Sequence, residues 1–583
     1  MDEALVSVLQ SVASRAGVSP ASLEVGALRP TPTDLSRFHC LANVTLASMR
    51  SRVAILKFAN KVAAPLLGYS HAMETRPAYR GDSGSGESST ASAGRSGSSG
   101  NSSSSASGSA SGSAFSTVVY TAGGKGHPSS SSASDASASS LSSTVRALKG
   151  LYFLSTKKAV FDSFLLQNQS TRGAPSSFGM GLNAPPQYMA PRITINRIRA
   201  ARLREEGTSA ALQGSVFAQL YQQMRAYPIG NFRNLAVDQQ VWNVQFQGEG
   251  SIDVGGPFRE SLAALAADLM STQTNLFLLS PNGVSSVGLN RSSYVPNPSA
   301  SSTQQLAQFE WLGALFGVAL RTKLPLALDL PSTVWKSLLG APLDVSDLEA
   351  FDKLCVQALS EISKLDSRAY ASMFAEQRWV TQLSDHTELE LKRGGRDLLV
   401  PYEQREEFIR LSINARLQES SKQLAALRKG LSAVVPTHML ALFTWRDLEL
   451  QVCGDPHIDI AVLKRHTVYS RGLSASDDVC IWLFKALHSF TADERQLFLR
   501  FVWGRNRLPA TESDWGASFT INSLSTAQDE SLPVSHTCFF SIDLPAYTSY
   551  DTLRKKLLYA ILNCQAIDVD FNSANADANA WAD

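Results

Sequence analysis

The sequence lacks the features that mark secreted, zinc-binding or nucleic-acid-binding proteins. Its 583 residues include six cysteines, which lie far apart with no CxxC motif and no Cys/His spacing typical of a zinc site. We therefore expect neither a disulfide framework nor a structural metal, and we expect a reducing compartment. The 53 Lys and Arg against 51 Asp and Glu leave a formal net charge of +2. No overall field would then attract nucleic acid or an anionic membrane.

Long apolar runs and a targeting signal are also missing. The first residues, MDEA, have neither a basic nor an apolar region and do not predict a secretory signal. The most apolar long stretch, residues 309–328, is interrupted by Glu310, Arg321 and Lys323. It predicts a core helix followed by a buried strand, and not a membrane span. We expect a protein of the cytoplasm, with the nucleus as the alternative, that inserts into no membrane.

Composition divides the first part of the chain into three segments. Residues 1–80 have apolar side chains at helical spacing and predict a helical N-terminal extension. Residues 81–145 are mostly serine, glycine and alanine. Such a segment cannot bury enough apolar surface to offset the entropy of ordering, so it predicts a disordered linker. A helical lead-in and a loop follow over residues 146–192.

Beyond residue 193 the patterns are typical of a dense mixed α/β protein. Residues 242–247 alternate between apolar and polar and predict a half-buried strand, and Pro257 lies at a predicted first helical position. Small residues over 312–320 favour a closely packed helix. A short segment with a glycine, 468–474, separates a large block (193–467) from a small block (475–583). The predicted fold class is α+β.

Cys538 is the strongest candidate for a nucleophile among the six cysteines. It precedes an alternating stretch that predicts a strand, so it lies at a loop-to-strand junction. A neighbouring imidazole, here His536, favours the thiolate form. A free thiol with a pKa of ~8.5 is already partly ionised at neutral pH, which suffices for exchange with an activated thioester. From the local pattern alone, a small buried structural cysteine stays the alternative.

Seven stretches resemble the HECT domain of E3 ubiquitin ligases and occur in that family's order. They are FQGEGSIDVGGPFRE (246–260), LGALFG (312–317), LKRGG (391–395), LELQVCG (448–454), FLRFVWGRNRLP (498–509), HTCFF (536–540) and DLPAY (543–547). The WGR variant at 503–505 and the helices predicted before residue 193 are most similar to the HERC-type branch of the family.

The resemblance implies a bilobal HECT domain. A large, mainly helical N-lobe would cover residues 193–467, and a small α/β C-lobe would cover residues 475–583. The hinge between them would lie at 468–474, with Tyr469, Ser470, Arg471 and Gly472 as its central residues. The implied partners are a ubiquitin-loaded E2 enzyme, ubiquitin and a protein substrate, and no cofactor or metal is implied.

The resemblance also implies roles for four residues of the small block. Cys538 would accept ubiquitin as a glycyl thioester and pass it to a substrate lysine. His536 and Thr537 would orient this thioester or stabilise its oxyanion. Asp543 would accept the lysine proton or would only brace its strand, and both interpretations stay open at this point.

The E2-binding part of the domain should fall within about 350–430. Apolar positions there are candidates for an E2 groove, with burial in a core as the alternative for each: Leu359, Ile362, Leu424 and Leu427. Two further functions compete with ligation. A HECT-shaped scaffold could bind E2 or ubiquitin without transfer, and a cysteine hydrolase would need a histidine oriented by Asn or Asp across a cleft.

Overall fold

The computed structural model describes residues 1–36, 38–75, 147–170, 189–206, 213–248, 255–271, 274–470, 472–511, 514–524 and 529–563. The disordered linker predicted over residues 81–145 and the chain after residue 563 lie outside these ranges. Within the described ranges, no helix combines the length and the apolar composition that crossing a membrane requires.

The fold combines many helices with small sheets, which confirms the predicted α+β class. The helices are α1 (Asp2–Ala16), α2 (Pro32–Ser36), α3 (Leu46–Thr75), α4 (Leu154–Ser170), α5 (Arg197–Glu206), α6 (Val216–Met224), α7 (Gly256–Leu269), α8 (Pro281–Val284), α9 (Thr303–Thr322), α10 (Ser332–Leu339), α11 (Val345–Glu349), α12 (Lys353–Lys364), α13 (Ser367–Met373), α14 (Arg405–Gln418), α15 (Ser421–Val434), α16 (Trp445–Cys453), α17 (Ile460–Arg465), α18 (Asp478–Ser489), α19 (Ala492–Trp503) and α20 (Tyr550–Asn563). The strands are β1 (Arg192–Ile195), β2 (Asn243–Phe246), β3 (Phe277–Leu279), β4 (Tyr294–Pro296), β5 (Val380–Gln382), β6 (Glu388–Glu390), β7 (Thr467–Tyr469), β8 (Phe519–Leu524), β9 (Val534–His536) and β10 (Ser541–Pro545).

The N-terminal helices form a small core of their own. Helix α1 buries Leu5 and Leu9 in a cluster with residues of α3 and with Phe153. It ends at Gly17, whose φ of 69° lies in the left-handed region that glycine adopts without a Cβ clash. The apolar face of α4, by contrast, lies in the core of the large block. The predicted lead-in helix therefore shares its core with the N-lobe that follows it.

Helix α9 is the central element of the large block, and it packs closely against α15. A Cβ atom added to Gly313 would lie 1.9 Å from the backbone oxygen of Leu427, and one added to Gly430 would lie 1.7 Å from the oxygen of Glu310. Larger residues at these two positions would force the helices apart. The small residues of 312–320 thus have the close-packing role that the sequence predicts.

The prediction of a buried strand after α9 is wrong. Residues 324–330 do alternate, with Leu324, Leu326, Leu328 and Leu330 buried in the core. Within the described ranges they belong to no strand, and their backbone groups bond to several elements, as between Leu326 N–H and the oxygen of Val452 at 2.9 Å. Every second side chain is buried whenever an extended chain turns one face to the core, and this does not require pairing in a sheet.

The small block is built on a four-stranded sheet. The strand order is β7-β8-β10-β9, with β8 parallel to both β7 and β10, and β9 antiparallel to β10. Helices α18, α19 and α20 share the core beneath it. This core already includes Ile458, Ile460 and Leu463. The hydrophobic unit therefore begins before the lobe boundary that the sequence predicts at residue 467.

Candidate active site

Cys538 lies in a tight loop between two paired strands. Strand β9 ends at His536, one 3-10 turn covers Thr537–Phe539, and β10 begins at Ser541, which pairs with His536. The sheet therefore anchors the backbone on both sides of Cys538. The side chain of Cys538 itself is outside the described atoms.

Phe540 anchors the far end of this loop. It has φ 48° and ψ 57°, a left-handed conformation that costs a non-glycine residue about 1 kcal/mol. Its ring is 1% exposed and stacks on Trp503, with ring centroids 3.9 Å apart and planes 7° apart. Its backbone oxygen accepts from the N–H of Thr520 at 2.9 Å. Burial of a large ring thus offsets the strain of the turn that follows Cys538.

Four polar side chains cross the sheet beside this loop, and we call them the polar row: Ser470, Asn522, Asp543 and His536. The Ser470 hydroxyl donates to Asn522 Oδ1 at 2.8 Å, and Asn522 Nδ2 donates to Asp543 Oδ1 at 2.7 Å. The other carboxylate oxygen of Asp543 lies 3.3 Å from His536 Nε2. Asn522 is 9% exposed and Asp543 is 6% exposed. The row brings the predicted His536 and Asp543 into contact.

Thr537 contributes a hydroxyl next to the nucleophile position. Its side chain is buried, and its Oγ1 has no hydrogen-bond partner within the described structure. A buried hydroxyl without a partner costs free energy in the resting protein. Such a donor is available to an oxyanion that forms nearby, which fits one of the two roles considered for Thr537.

The other described cysteines have different environments. Burial raises the pKa of Cys355 to about 11, of Cys480 to about 11 and of Cys453 to about 12. These thiols are therefore protonated at neutral pH and poor nucleophiles. Cys40 is exposed but lies in the N-terminal extension. In the described ranges, moreover, no group of three or more His, Cys, Asp or Glu could hold a metal ion.

The residues predicted as the hinge lie at the edge of the small block. Tyr469 belongs to β7, and the N–H of Ser470 donates to the oxygen of Ile521 at 3.0 Å. Gly472 has a φ of +82°, where glycine is favoured. Arg471 is outside the described residues. Tyr469 and Ser470 are thus attached to the C-lobe sheet, and the pivot role of this segment remains a prediction.

The four candidate E2 contacts lie in or against hydrophobic cores. Leu359 and Ile362 are buried in a cluster between α12, α13 and α14, and Leu427 is fully buried beneath α9. Leu424 is partly buried against the same central core. The positions of these four residues therefore correspond to the alternative interpretation, in which each side chain packs in or against a core. They could contribute to an E2-binding surface only by packing beneath it. E2 binding itself remains a prediction.

The two blocks meet at the segment that follows α19. Leu508 and Asp455 exchange backbone hydrogen bonds of 2.9 and 3.1 Å. The buried guanidinium of Arg507 donates to the oxygen of Leu328 at 3.0 Å and pairs with Asp329. The motif NRLP thus has a physical role, because its residues Arg507 and Leu508 join the two blocks.

Sequence reasoning missed Asn522. A polar amide directly after Phe519, Thr520 and Ile521 in a strand is the signal that could have been used, because asparagine is disfavoured in strands. Its partners Ser470 and Asp543 are distant in sequence, so the pattern could not show what it binds.

Comparison with known proteins defines the class of the molecule. Residues 263–570 match the family described as HECT-domain (ubiquitin-transferase). Because this match covers more than half of the chain, the chain belongs to the HECT-domain family. The resemblance to the HECT domain is thereby confirmed.

Within the family the chain is similar to HERC2 proteins. The E3 ubiquitin-protein ligases HERC2 of Mus musculus and Homo sapiens are each 37% identical to it over 385 residues, which is 65% of this chain and 8% of the relative. Human E3 ubiquitin-protein ligase NEDD4 is 29% identical over 337 residues, 56% of this chain and 25% of the relative. The HERC-like character is confirmed, and the chain spans less than a tenth of the length of these HERC2 relatives.

Proposed function

We propose that this chain is a HECT E3 ubiquitin ligase that accepts ubiquitin from an E2 as a thioester on Cys538. The observation that carries the proposal is the anchored loop of Cys538 beside the His536–Asp543 contact in a chain of this family. The three thiols whose pKa is raised by burial or partial burial are unsuited to the role, which favours Cys538 further.

The first step exchanges one thioester for another. The Cys538 thiolate attacks the carbonyl carbon of ubiquitin's terminal glycine, a new C–S bond forms, and the E2 sulfur leaves as a thiolate. The two thioesters have similar free energies, so positioning matters more than acid–base help. The Thr537 hydroxyl is suited to donate to the oxyanion of the tetrahedral intermediate.

The second step forms an isopeptide bond. A lysine amine attacks the same carbonyl carbon, a C–N bond forms, and the C–S bond to Cys538 breaks. The amine must lose a proton, and the His536–Asp543 pair is suited to accept it. This assignment favours the acid–base role for Asp543 over strand bracing alone, because its carboxylate contacts His536 as well as its neighbour on β8.

The E2 enzyme should dock on exposed apolar side chains of the helical part around residues 350–430. Met373 is 68% exposed at the end of α13, and Leu399 is exposed where it pairs with Arg378. We propose these two in place of the four candidates that lie in or against hydrophobic cores. Met373→Asp and Leu399→Asp should slow the charging of Cys538 at low E2 concentration, and excess E2 should restore it. Leu389→Asp, on the exposed strand β6, is a matched surface control.

A charging assay tests the function. The chain is incubated with E1, ubiquitin and a panel of E2 enzymes, and the products are separated without reducing agent. We expect a ubiquitin adduct that thiols remove, that Cys538→Ala abolishes and that Cys40→Ser leaves intact. E2 binding without any adduct across the panel would indicate the scaffold. Cleavage of ubiquitin chains would indicate the hydrolase.

A further inference from the structure

The polar row has one member at each strand of the C-lobe sheet, in the order of the strands. Ser470 directly follows β7, Asn522 lies in β8, Asp543 in β10 and His536 in β9. Asn522 and Asp543 are register partners and therefore project from the same face. Their neighbours Ile521 and Ile542 are fully buried in the core on the opposite face.

Hydrogen-bond chemistry gives this row a direction. An ionised carboxylate can only accept, so Asn522 must turn its NH₂ group toward Asp543. Its carbonyl oxygen then faces the Ser470 hydroxyl, which donates to it at 2.8 Å. A flipped amide would place its oxygen against the carboxylate, at a position that is 9% exposed. Ser470 thus selects the one amide orientation that satisfies Asp543.

We infer that Asn522 and Ser470 are positioning residues of the transfer step, which hold the Asp543 carboxylate in the orientation that presents its second oxygen to His536. The inference rests on the proposed function, and it gives Ser470 a role in addition to its predicted place in the hinge. Strand β7 directly follows α17, and the residue after this strand, Ser470, donates the hydrogen bond that fixes the Asn522 amide.

A positioning role differs from a merely structural one in the half-reaction that it affects. Charging of Cys538 exchanges thiolates and needs no proton from an amine. Discharge to lysine requires that proton to be accepted, which is the step that a correctly oriented His536–Asp543 pair assists. Loss of the row should therefore slow discharge and spare charging, whereas damage to the fold would slow both.

The test is a single-turnover discharge of the full chain. The Cys538 adduct is formed, further charging is stopped, and free lysine is added over a range of concentrations. Asn522→Ala and Ser470→Ala should charge normally and discharge at saturating lysine at least about tenfold more slowly. The lysine concentration for half-maximal rate should not change. Ser470→Thr keeps the hydroxyl and should retain the rate of the unaltered chain.

Two further variants separate the alternatives. Ser474→Ala is the matched control, because its hydroxyl contacts Ser476 outside the polar row, and it should discharge normally. Asn522 acts through Asp543, so Asn522→Ala combined with Asp543→Ala should discharge no more slowly than Asp543→Ala alone.

Several results would overturn the inference. They are normal discharge by both alanine variants, fully additive losses in the double variant, or an equal loss of charging and discharge. In each case adduct formation by the unaltered chain would leave the proposed function standing. Failure of the unaltered chain to form an adduct with any E2 would remove the proposed function itself.

Discussion

Replacement of Phe540 tests how the loop of Cys538 is held. The ring is buried and stacks on Trp503, so Phe540→Ala should destabilise the small block by about 3–5 kcal/mol. The φ of 48° adds a second effect that is independent of packing. In this conformation an alanine costs about 1 kcal/mol more than a glycine, because its Cβ crowds the following carbonyl oxygen. Phe540→Gly should therefore be more stable than Phe540→Ala by about 1 kcal/mol.

Phe519 supplies the matched control for this prediction. It is also fully buried, and its ring centroid lies 5.1 Å from that of Phe540, but it is in the regular strand β8. There the usual order applies, and Phe519→Gly should be less stable than Phe519→Ala by about 0.5–1 kcal/mol.

Hydrogen exchange of the β8 and β10 amides gives the local free energy of opening for each variant, separately from the large block. An equal or lower stability of Phe540→Gly relative to Phe540→Ala would refute the argument from backbone strain.

Thr537→Val should change the free energy of unfolding by less than about 1 kcal/mol, because the lost hydroxyl has no partner in the described structure, yet it should slow adduct formation measured on non-reducing gels. Burial raises the pKa of Asp34, but hydrogen bonds from Arg15, from the backbone and hydroxyl of Thr31 and from Ser11 outweigh it and lower the pKa to about 2. Asp34→Asn should therefore cost about 2 kcal/mol above pH 4, and acid titration of unfolding should show that difference vanish toward pH 2. Iodoacetamide labelling at neutral pH, followed by mass spectrometry, should modify the exposed Cys40 and spare Cys355, Cys453 and Cys480, whose thiol pKa values are raised.

Local patterns predicted those parts of the molecule that local physics determines. The alternation at 242–247 corresponds to β2, and Pro257 lies in the first turn of α7. The position of Cys538 at a loop-to-strand junction also followed from nearby residues. In each case a few consecutive side chains define the periodicity or the turn.

Features that depend on distant contacts could not be predicted. The strand order β7-β8-β10-β9 places Ser470, Asn522 and Asp543 side by side, although they are separated by long stretches of chain. An apolar residue at helical spacing, such as Leu427, has the same pattern whether its face meets a core or an E2. Only the approach of α15 to α9 shows that this residue is covered.

The contacts of the lead-in helix α4 indicate that assays need a chain that includes this helix. Lys157 is buried and its Nζ lies 2.5 Å from Asp447 in α16, whereas the next residue, Lys158, lies 3.0 Å from Asp514 in the small block. A chain cut at the predicted N-lobe start would leave Asp447 partly buried without its cation, a loss that typically costs about 3–5 kcal/mol. It would also remove Phe161 from the central core. Because α4 contacts both blocks, its removal would lower the stability of the protein and would also change how the two blocks contact each other. Lobe motion and ubiquitin transfer should therefore be measured on a chain that keeps this helix.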